Sequence, residues 1–595
     1  MSQDPLPALN DAALNDAALR DRAVRAAQGL APFDQLLTGA RIADMATGEL
    51  RAADLGLVGP LIASVHAPGT RADAAMVEAL PGRILAPGLI DTHMHVESSM
   101  VTPRRYAETV LPQGTTTICW DPHELANVAG LEGLRWAIAA LRGLPLRALL
   151  LAPSCVPSAP GLERAGASFG PDEMAEMLSW PEVAGVAEVM DMRGVLERAP
   201  RMRGILAAGL ESGKLVCGHA RGLSAGALQG FAAAGVTSDH EITSGADLLE
   251  KLRAGLAIEL RGSHDYILPE AVAALGSLPR YPQTLTLCTD DVFPDDLVAR
   301  GGMIDLIRRL VRHGMPALEA LRAATLNAAQ RLGRADLGLL APGRRADLIV
   351  LSDLEGMMVE RVYGSGTLLA EGGRLAAPLP GGEPPGLRDT MRLAPLAAGD
   401  FRIAAPGPTA RLRSVAQPRF TRWGEIAVPV RDGAAVLPPE VTMLAVIHRH
   451  GLAPARPSLG VLEGWGSWRG ALATTVAHDS HNLCVFGHDP DDMAAAANAL
   501  IAAGGGMAVA AGGAVRAVLP LPVCGLLSDA PAAEVAARFA ALRAAADGIA
   551  EWQPPYRVFK AVVGATLACN AGPHVTDLGI ADGGTGAVFT SALIA

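Results

Sequence analysis

One stretch of the chain carries the strongest signal for the fold: Pro87-Gly88-Leu89-Ile90-Asp91-Thr92-His93-Met94-His95-Val96-Glu97. Its apolar start is typical of a buried strand, and in an extended segment residues i and i+2 point to the same side. His93 and His95 therefore present two imidazoles to one point at the end of a strand. The alternative, two histidines that face solvent, fits poorly after a buried run. The pattern predicts metal ligands at this strand end.

Strand-like apolar runs alternate with helical stretches rich in Ala, Leu, Arg and Glu from about residue 84 to residue 334. The strand candidates are residues 83–90, 115–120, 148–152, 183–189, 214–217, 235–238, 257–260 and 284–288. Eight strands that alternate with helices over about 250 residues are the number expected for a (β/α)8 barrel, a TIM-like α/β fold. Periodicity alone also allows a doubly wound sheet, so the choice depends on the candidate site residues.

Further candidate metal ligands follow the later predicted strands: Glu188, His219, His240 and Asp290. Each alone is a weak signal, because a lone histidine of this kind is more often structural. Together they favour the barrel, since they would converge with the first two histidines at the C-terminal mouth, where barrel enzymes keep their sites. Imidazoles and carboxylates in this number are enough to hold two divalent metal ions.

The order of these residues resembles the metal site of the amidohydrolase superfamily. More narrowly, four segments are similar to the bacterial adenine deaminases: His93-Met94-His95-Val96-Glu97-Ser98-Ser99-Met100, Asp121-Pro122-His123-Glu124, Cys288-Thr289-Asp290-Asp291 and Ala477-His478-Asp479-Ser480-His481-Asn482. The likeness extends from about residue 34 to the C-terminus. It implies an enzyme that converts adenine to hypoxanthine and ammonia.

Glu188 supports the narrower resemblance on chemical grounds. Many two-metal relatives bridge their ions with a carbamylated lysine, but the fourth strand candidate here carries Glu188, and Lys214 is misplaced for that task. A glutamate bridges two cations with its two oxygens, and the adenine deaminases that the chain resembles use one. The alternative is a carboxylate that only supports the ligands of a single ion. We expect two ions of manganese or iron, and zinc also suits oxygen and imidazole ligands without thiolate.

The resemblance also implies a reaction. Two divalent ions would lower the pKa of a shared water toward neutrality, and the resulting hydroxide would attack C6 of the purine. Asp290 is the candidate to accept the proton of this water, and Asp121 and Glu124 are candidates for the remaining proton transfers and for holding the ring edge. The alternative for Asp121 and Glu124 is the capping of a helix that starts near Pro122.

Four more residues are candidates for contact with the substrate. His123 would either orient a ligand or touch the substrate, and the sequence leaves both roles open. His478, Asp479 and His481 would reach over the barrel mouth and close the pocket. A solvated turn is the alternative for this late segment.

The chain is long enough for several domains. We predict an N-terminal helical extension over residues 1–33, the barrel over 84–334 and an additional C-terminal α+β domain over 386–595. Short strand patterns with Gly, Pro and Asp flank the barrel at 34–83 and 335–385, and they predict the two parts of one β-sandwich. The segment Ala341-Pro342-Gly343-x-x-Ala346-Asp347 resembles the split sandwich of the superfamily.

Composition narrows the class of protein. A net charge of -11 and a pI of about 5.7 argue against nucleic acid as a partner, because phosphate binding needs clustered Lys and Arg. The seven cysteines are scattered and form no C-x-x-C pair, which is typical of a reducing compartment. The sequence shows no signal peptide and no membrane-spanning apolar run. We expect a cytoplasmic homo-oligomer, a dimer, that acts on a small molecule.

Two other functions stay open from the sequence. The first is a different amidohydrolase chemistry, such as hydrolysis of a cyclic amide or removal of an acetyl group. The second is a non-catalytic assembly protein that kept the barrel after losing the site, and the complete ligand set argues against it.

Overall fold

The computed structural model describes residues 5–7, 14–418, 420–552 and 558–594. Near the N-terminus an α-helix spans Ala17–Ala27, and Asp16 caps it by accepting a hydrogen bond from the N–H of Ala18. Residues 1–4 and 8–13 of the predicted helical extension lie outside the described residues. In the described part of the chain, none of the helices combines the length and apolar character needed to cross a bilayer.

Eight short parallel strands form the centre of the described chain. They are Leu89–Met94, Thr115–Trp120, Arg147–Ala152, Val183–Val189, Leu215–Gly218, Ser238–Asp239, Ala257–Arg261 and Leu285–Cys288. The first five pair in one sheet and the last three in another. The N–H of Thr237 donates to the carbonyl of Val216, and the N–H of Asp290 donates to the carbonyl of His93, so both gaps between the sheets are bridged. The predicted TIM-like α/β domain is confirmed.

Helices cover the outside of these strands, as expected when each parallel strand returns through a crossover. They span Pro103–Val110, His123–Ala129, Leu131–Leu141, Pro171–Leu178, Met192–Leu196, Pro200–Glu211, Ala225–Ala233, Gly245–Arg253, Leu268–Gly276, Pro294–Arg300, Met303–Arg312, Ala317–Ala323 and Leu326–Arg331. Single 3-10 turns lie at Glu97–Ser99, Leu111–Gln113 and Asp265–Ile267.

Two predicted strands differ from those observed. The run 83–90 is not one strand, because Ile84–Pro87 pairs outside the barrel and the first barrel strand begins at Leu89. Between them, Gly88 packs so closely on Thr116 that a Cβ at this position would overlap its side chain. The strand predicted at 235–238 is observed at Ser238–Asp239. Gly235 has a φ of 103°, which suits the end of a helix and not a strand.

Strands from both sides of the barrel sequence meet in one seven-stranded sheet. Its members are Arg41–Asp44, Glu49–Ala52, Ile84–Pro87, Leu348–Leu351, Val359–Gly364, Thr367–Glu371 and Arg374–Leu375. A four-stranded sheet accompanies it, with Phe33–Thr38, Asp54–Val58, Leu61–His66 and Ala74–Ala79. The segments before and after the barrel are therefore joined by backbone hydrogen bonds.

The C-terminal region is built on a mostly antiparallel sheet. Its strands are Thr409–Ala416, Arg422–Arg431, Ala434–Ala435, Val441–Ile447, Ser458–Glu463, Ala471–Thr474, Leu483–Gly487, Gly506–Ala511, Ala514–Pro520 and Leu593–Ile594. Helices span Pro490–Ala503, Ala532–Ile549 and Val558–Val563, and a 3-10 turn lies at Ala398–Phe401. Two short strands, Ser467–Trp468 and Ala550–Glu551, pair with each other. Three more form a small sheet: Pro573–Thr576, Gly579–Asp582 and Val588–Phe589.

One apolar core joins the barrel to the C-terminal region. It contains Trp120 of the second barrel strand and Phe293 beyond the eighth, together with Phe486 and Phe539 of the C-terminal region. Burial of large aromatic side chains across such a boundary is strongly stabilising. The C-terminal region is thereby held against the barrel on the side where the candidate ligands lie.

Candidate active site

The six residues predicted as metal ligands lie at the C-terminal ends of barrel strands. His93 and Glu188 lie near the ends of their strands, His95, His219 and His240 follow theirs directly, and Asp290 lies two residues beyond the last strand. Each is at most 5% exposed. The hydrogen bond from the N–H of Asp290 to the carbonyl of His93 brings the first and last members of the set together.

Glu188 lies at the centre of this set. Its Oε1 is 3.7 Å from Nε2 of His93 and 3.5 Å from Nε2 of His95. Its Oε2 is 2.5 Å from Nδ1 of His219 and 3.3 Å from Nε2 of His240. Burial opposes ionisation, but the imidazoles of His240 and His219 hold the pKa of Glu188 well below its usual value. Each oxygen of one carboxylate therefore faces a different pair of imidazoles, as a bridging ligand requires.

Asp290 completes the set from the opposite side. Its Oδ1 lies 3.6 Å from Nε2 of His93 and 3.4 Å from Nε2 of His95. Its Oδ2 accepts hydrogen bonds from Nη1 of Arg261 at 2.7 Å and from the hydroxyl of Ser263 at 2.8 Å. Burial opposes the charge, yet Arg261 and the neighbouring imidazoles hold the pKa of Asp290 well below its usual value. One oxygen is anchored, and the other is directed at the histidines.

The chemistry of these donors fits divalent cations. Both ring nitrogens of His93, Nε2 of His219 and Nδ1 of His240 are buried and have no hydrogen-bond partner among the described residues. Such atoms are costly unless something else satisfies them. Metal–ligand bonds of about 2.0–2.2 Å place neighbouring ligand atoms about 3.0–3.5 Å apart in regular geometries. Most of the separations around Glu188 and Asp290 lie near this range, which is too long for strong hydrogen bonds and suitable for a shared cation.

Lys214 lies at the other end of the barrel. Its ammonium group donates to the carbonyls of Leu178 and Val183, at the start of the fourth strand, whereas Glu188 lies near its end. A carbamylated form of this lysine would not reach the ligand cluster.

The loop after the second barrel strand contributes three buried candidates. Asp121 accepts a hydrogen bond from the N–H of His123 through Oδ1, at the start of the helix His123–Ala129, so the expected helix-start contact is present. Its Oδ2 is buried without a hydrogen bond and lies 3.2 Å from Nδ1 of His123. Its carbonyl oxygen lies 3.0 Å from Nδ1 of His95, so the loop also orients a candidate ligand. Glu124 is fully buried.

The late segment around Asp479 reaches this loop from the C-terminal region. Oδ1 of Asp479 lies 3.6 Å from Nε2 of His123. Nδ1 of His478 is 3.7 Å from Oε1 of Glu124, and Nε2 of His481 is 3.8 Å from Oε2 of the same carboxylate. Asp479 and His481 are buried, so the alternative of a solvated turn is wrong for both.

A cavity of about 1110 Å³ opens between the two regions. Its barrel side includes His95, His123, Glu188, His219, His240 and Asp290, and its C-terminal side includes Trp465, His478, Asp479 and Asn570. An open cavity of this size, with these buried polar side chains at its base, accommodates a small organic molecule. His481 lies behind the pocket wall and contacts Glu124.

Comparison with known proteins relates both halves of this site to one family. A model of the amidohydrolase family matches residues 84–369, and a model of the adenine deaminase C-terminal domain matches residues 418–587. The chain is 63% identical to Adenine deaminase 2 of Rhizobium meliloti (strain 1021), over 96% of each chain. The chain belongs to the adenine deaminase family. It is also 58% identical to Adenine deaminase of Klebsiella pneumoniae (strain 342), over 94% of each chain.

The two matched regions of this adenine deaminase family member divide the site between them. The amidohydrolase match contains the six ligand candidates and the loop with Asp121 and Glu124, and the C-terminal match contains His478 and Asp479. A solved amidohydrolase structure aligns with 57% of this chain and 99% of its own, at 18% identity and a TM-score of 0.43.

Three polar residues of the site were missed in the sequence. Arg261 and Ser263 hold Asp290, and Glu241 accepts from Nη1 of Arg221 at 2.8 Å and lies 2.8 Å from Nη1 of Arg261. The signal that could have found them is their position, because Glu241 and Ser263 follow the sixth and seventh barrel strands and Arg261 ends the seventh. Arginine and serine seldom bind metals, so a pattern of metal-binding residue types does not include Arg261 and Ser263, whereas Glu241 directly follows His240 and belongs to such a type.

Proposed function

We propose that this protein catalyses the hydrolytic deamination of adenine to hypoxanthine and ammonia. The observation that carries the proposal is the 63% identity to an adenine deaminase over 96% of both chains, combined with a complete buried ligand set at the barrel mouth. A different amidohydrolase activity is less well supported, because the C-terminal match is specific to adenine deaminases and contributes to the pocket.

Two divalent cations are part of the proposal, with manganese or iron favoured over zinc. The residues that would hold them are His93, His95, Glu188, His219, His240 and Asp290. Bound ions of this class act as Lewis acids and lower the pKa of water toward neutrality. The donor set supports this number, because each oxygen of Glu188 faces its own pair of imidazoles.

Asp290 is the proposed general base. Arg261 and Ser263 bind its Oδ2 and so fix the carboxylate in one orientation, with Oδ1 facing the barrel axis. A carboxylate kept ionised in a buried site accepts a proton from the attacking water and passes it on to the leaving amine. Because its position is fixed before substrate binds, little reorganisation is needed during the reaction.

Asp121 and Glu124 are proposed to hold the ring edge and to transfer the remaining protons. Burial raises the pKa of Glu124, which favours a protonated carboxyl that can donate to a ring nitrogen. His123, His478 and Asp479 contact the substrate from both sides of the pocket, and His481 supports Glu124 from behind. Closure by this C-terminal wall excludes water from the reacting atoms.

Release of ammonia tests the activity. The purified holoenzyme should release one ammonia and form one hypoxanthine for each adenine consumed, as measured by a coupled ammonia assay and by chromatography. Cyclic amides and N-acetylated compounds at the same concentration serve as comparison substrates. Absence of ammonia from adenine, or faster turnover of a cyclic amide, would overturn the assignment.

Other features are proposed with the function. We propose a split β-sandwich from the two flanking segments, supported by their shared sheet, and a separate C-terminal domain over 386–595. A cytoplasmic location is supported by seven cysteines without disulfides among the described residues. A homodimer is proposed as the oligomeric state, which light scattering tests directly.

A further inference from the structure

A second cluster of metal-binding side chains lies beside the six proposed ligands. It consists of His123 and Glu124, at the start of the helix after the second barrel strand, and His478 and Asp479 of the C-terminal region. Candidate ligand atoms of His123, Glu124 and His478 all lie within 4.8 Å of one another. We call these four residues the auxiliary site.

The distances within the auxiliary site suit one cation. Oδ1 of Asp479 is 3.6 Å from both Nε2 of His123 and Nδ1 of His478, and Oε1 of Glu124 is 3.7 Å from Nδ1 of His478. A tetrahedral ion with bonds of about 2.1 Å sets its ligand atoms about 3.4 Å apart. The donors are thus spaced as around an ion, and they are too far apart for strong mutual hydrogen bonds.

One buried nitrogen of this cluster lacks a partner where it faces a carboxylate. Nε2 of His123 lies 3.6 Å from Oδ1 of Asp479 and has no hydrogen bond among the described residues. An unsatisfied buried imidazole nitrogen is costly, which favours a ligand between it and the carboxylate. The cavity reaches His123, His478 and Asp479, so an ion from solvent has access to them.

We propose that the auxiliary site binds one further divalent cation of the zinc or manganese class, in addition to those at the barrel mouth. Two imidazoles and two carboxylates form a ligand set that such ions accept. The ion joins residues of the barrel to residues of the C-terminal region, and it lies on the pocket side of Glu124.

Counting ions per chain tests this site without any measurement of activity. The holoenzyme is dialysed against buffer with a fixed free concentration of Zn²⁺ and analysed by mass spectrometry of the metals. Wild type should hold one more ion per chain than His478→Asn and Glu124→Gln, because loss of one ligand weakens binding by more than about tenfold. Equal numbers in wild type and both variants would overturn the proposal.

His313→Asn is the control. His313 is exposed just after the helix Met303–Arg312 and is not part of the pocket lining. This variant should hold as many ions as wild type, and loss of an ion from it would count against the assignment. If the other variants fail to fold, a wild-type crystal soaked in Mn²⁺ decides. An anomalous peak between His123 and His478 supports the site, and its absence overturns it.

One consequence rests on the proposed function. Because all four residues of the auxiliary site are assigned to both the cation and the purine, the two ligands should compete. Glu124 is ionised when the cation is bound and protonated when the purine is bound. Saturating hypoxanthine, the unreactive product, should lower the ion count of wild type by one at limiting Zn²⁺. If calorimetry shows that hypoxanthine binds while the count stays constant, the overlap is wrong. Failure of the deaminase assignment would appear separately, as absence of ammonia with an unchanged ion count.

Discussion

The barrel mouth is formed by the six candidate ligands at the strand ends, and the wall is formed by residues 478–481 of the C-terminal region, which face it. Both contain histidines and carboxylates, but they are assembled differently. At the mouth, ligands such as Glu188 and Asp290 lie at strand ends, so the barrel itself determines where they meet. In the wall, the segment around Asp479 is held by side-chain hydrogen bonds, in which Arg449 donates to the carbonyl of His481 at 2.5 Å and Thr566 to that of His478 at 2.6 Å. The mouth should therefore control the chemical step, and the wall should control substrate binding.

The largest effect is expected at the centre of the mouth. Glu188→Ala removes the carboxylate that faces four imidazoles, so it should lose bound metal. The several kcal/mol of transition-state stabilisation that bound metal supplies would be lost with it, and kcat should fall by at least about 10³-fold. Metal analysis and ammonia release measure both results. The exposed Glu182, just before the same strand, gives the control Glu182→Ala, which should behave as wild type. A Glu188→Ala enzyme that keeps its metal and its kcat would contradict the proposed role.

Asp290 is proposed both as the general base and as a metal ligand, so metal content is measured together with kcat to separate the two roles. Asp290→Asn keeps the shape of the side chain but removes its charge, and kcat should fall by about 10²–10⁴-fold because no base accepts the proton. The adjacent carboxylate, Asp291, accepts from the hydroxyl of Ser98 and lies 3.9 Å from Nε2 of His478, but it is not one of the candidate metal ligands. Asp291→Asn should therefore change kcat by less than about tenfold. Equal losses in the two variants would assign the effect to general electrostatics.

The barrel was largely predictable from sequence because buried parallel strands appear as continuous apolar runs. The strands predicted at 115–120 and 183–189 have the observed bounds. The error at 83–90 has a physical origin, since the apolar run continues through Gly88 although the chain changes sheet there. Local apolarity reports burial and carries no information about the partner strand.

The six ligands could be predicted together because strand ends of a barrel share one location. The contacts that orient these ligands, and those that join the barrel to the C-terminal region, could not be predicted. Glu163 and Ser480 are hydrogen-bonded although 317 positions separate them, and no periodicity relates such a pair. Arg261 was missed for another reason, because its role depends on contact with Asp290, which only the fold establishes.

The wall should affect binding more than the chemical step. Asp479→Asn removes the buried charge that faces His123 and the pocket. The proposed hydrogen bond from the purine to this charged group would contribute about 1.5–3 kcal/mol, so KM for adenine should rise about 10–100-fold. Hypoxanthine affinity by calorimetry should weaken in parallel. Asp432→Asn, in an exposed turn of the same region, is the control with unchanged KM. A fall in kcat at constant KM would instead place Asp479 with the mouth.

The smallest effect on catalysis is expected where the barrel and the C-terminal region join. Glu163 is buried, and it accepts hydrogen bonds from the hydroxyl of Ser158, the N–H of Ala159 and the hydroxyl of Ser480. Burial, with Asp479 nearby, raises the pKa of Glu163 from 4.5 to about 7.

The raised pKa fixes the sign of the pH dependence. Between about pH 4.5 and 7 the folded state binds more protons than the unfolded state, so the contribution of Glu163 to stability falls as pH rises and is lost above the folded pKa. Glu163→Gln does not ionise and keeps polar partners for both serines. At about 1.4 kcal/mol per pKa unit, the variant should gain up to about 3 kcal/mol over wild type near pH 8 and little near pH 5, measured by urea unfolding. Its KM should not change, and the exposed Glu182→Gln should show no pH-dependent difference from wild type. If Glu163→Gln and wild type differ in unfolding free energy by the same amount at pH 5 and pH 8, the carboxylate is charged at both and holds the wall by that charge. The wall would then resemble the mouth.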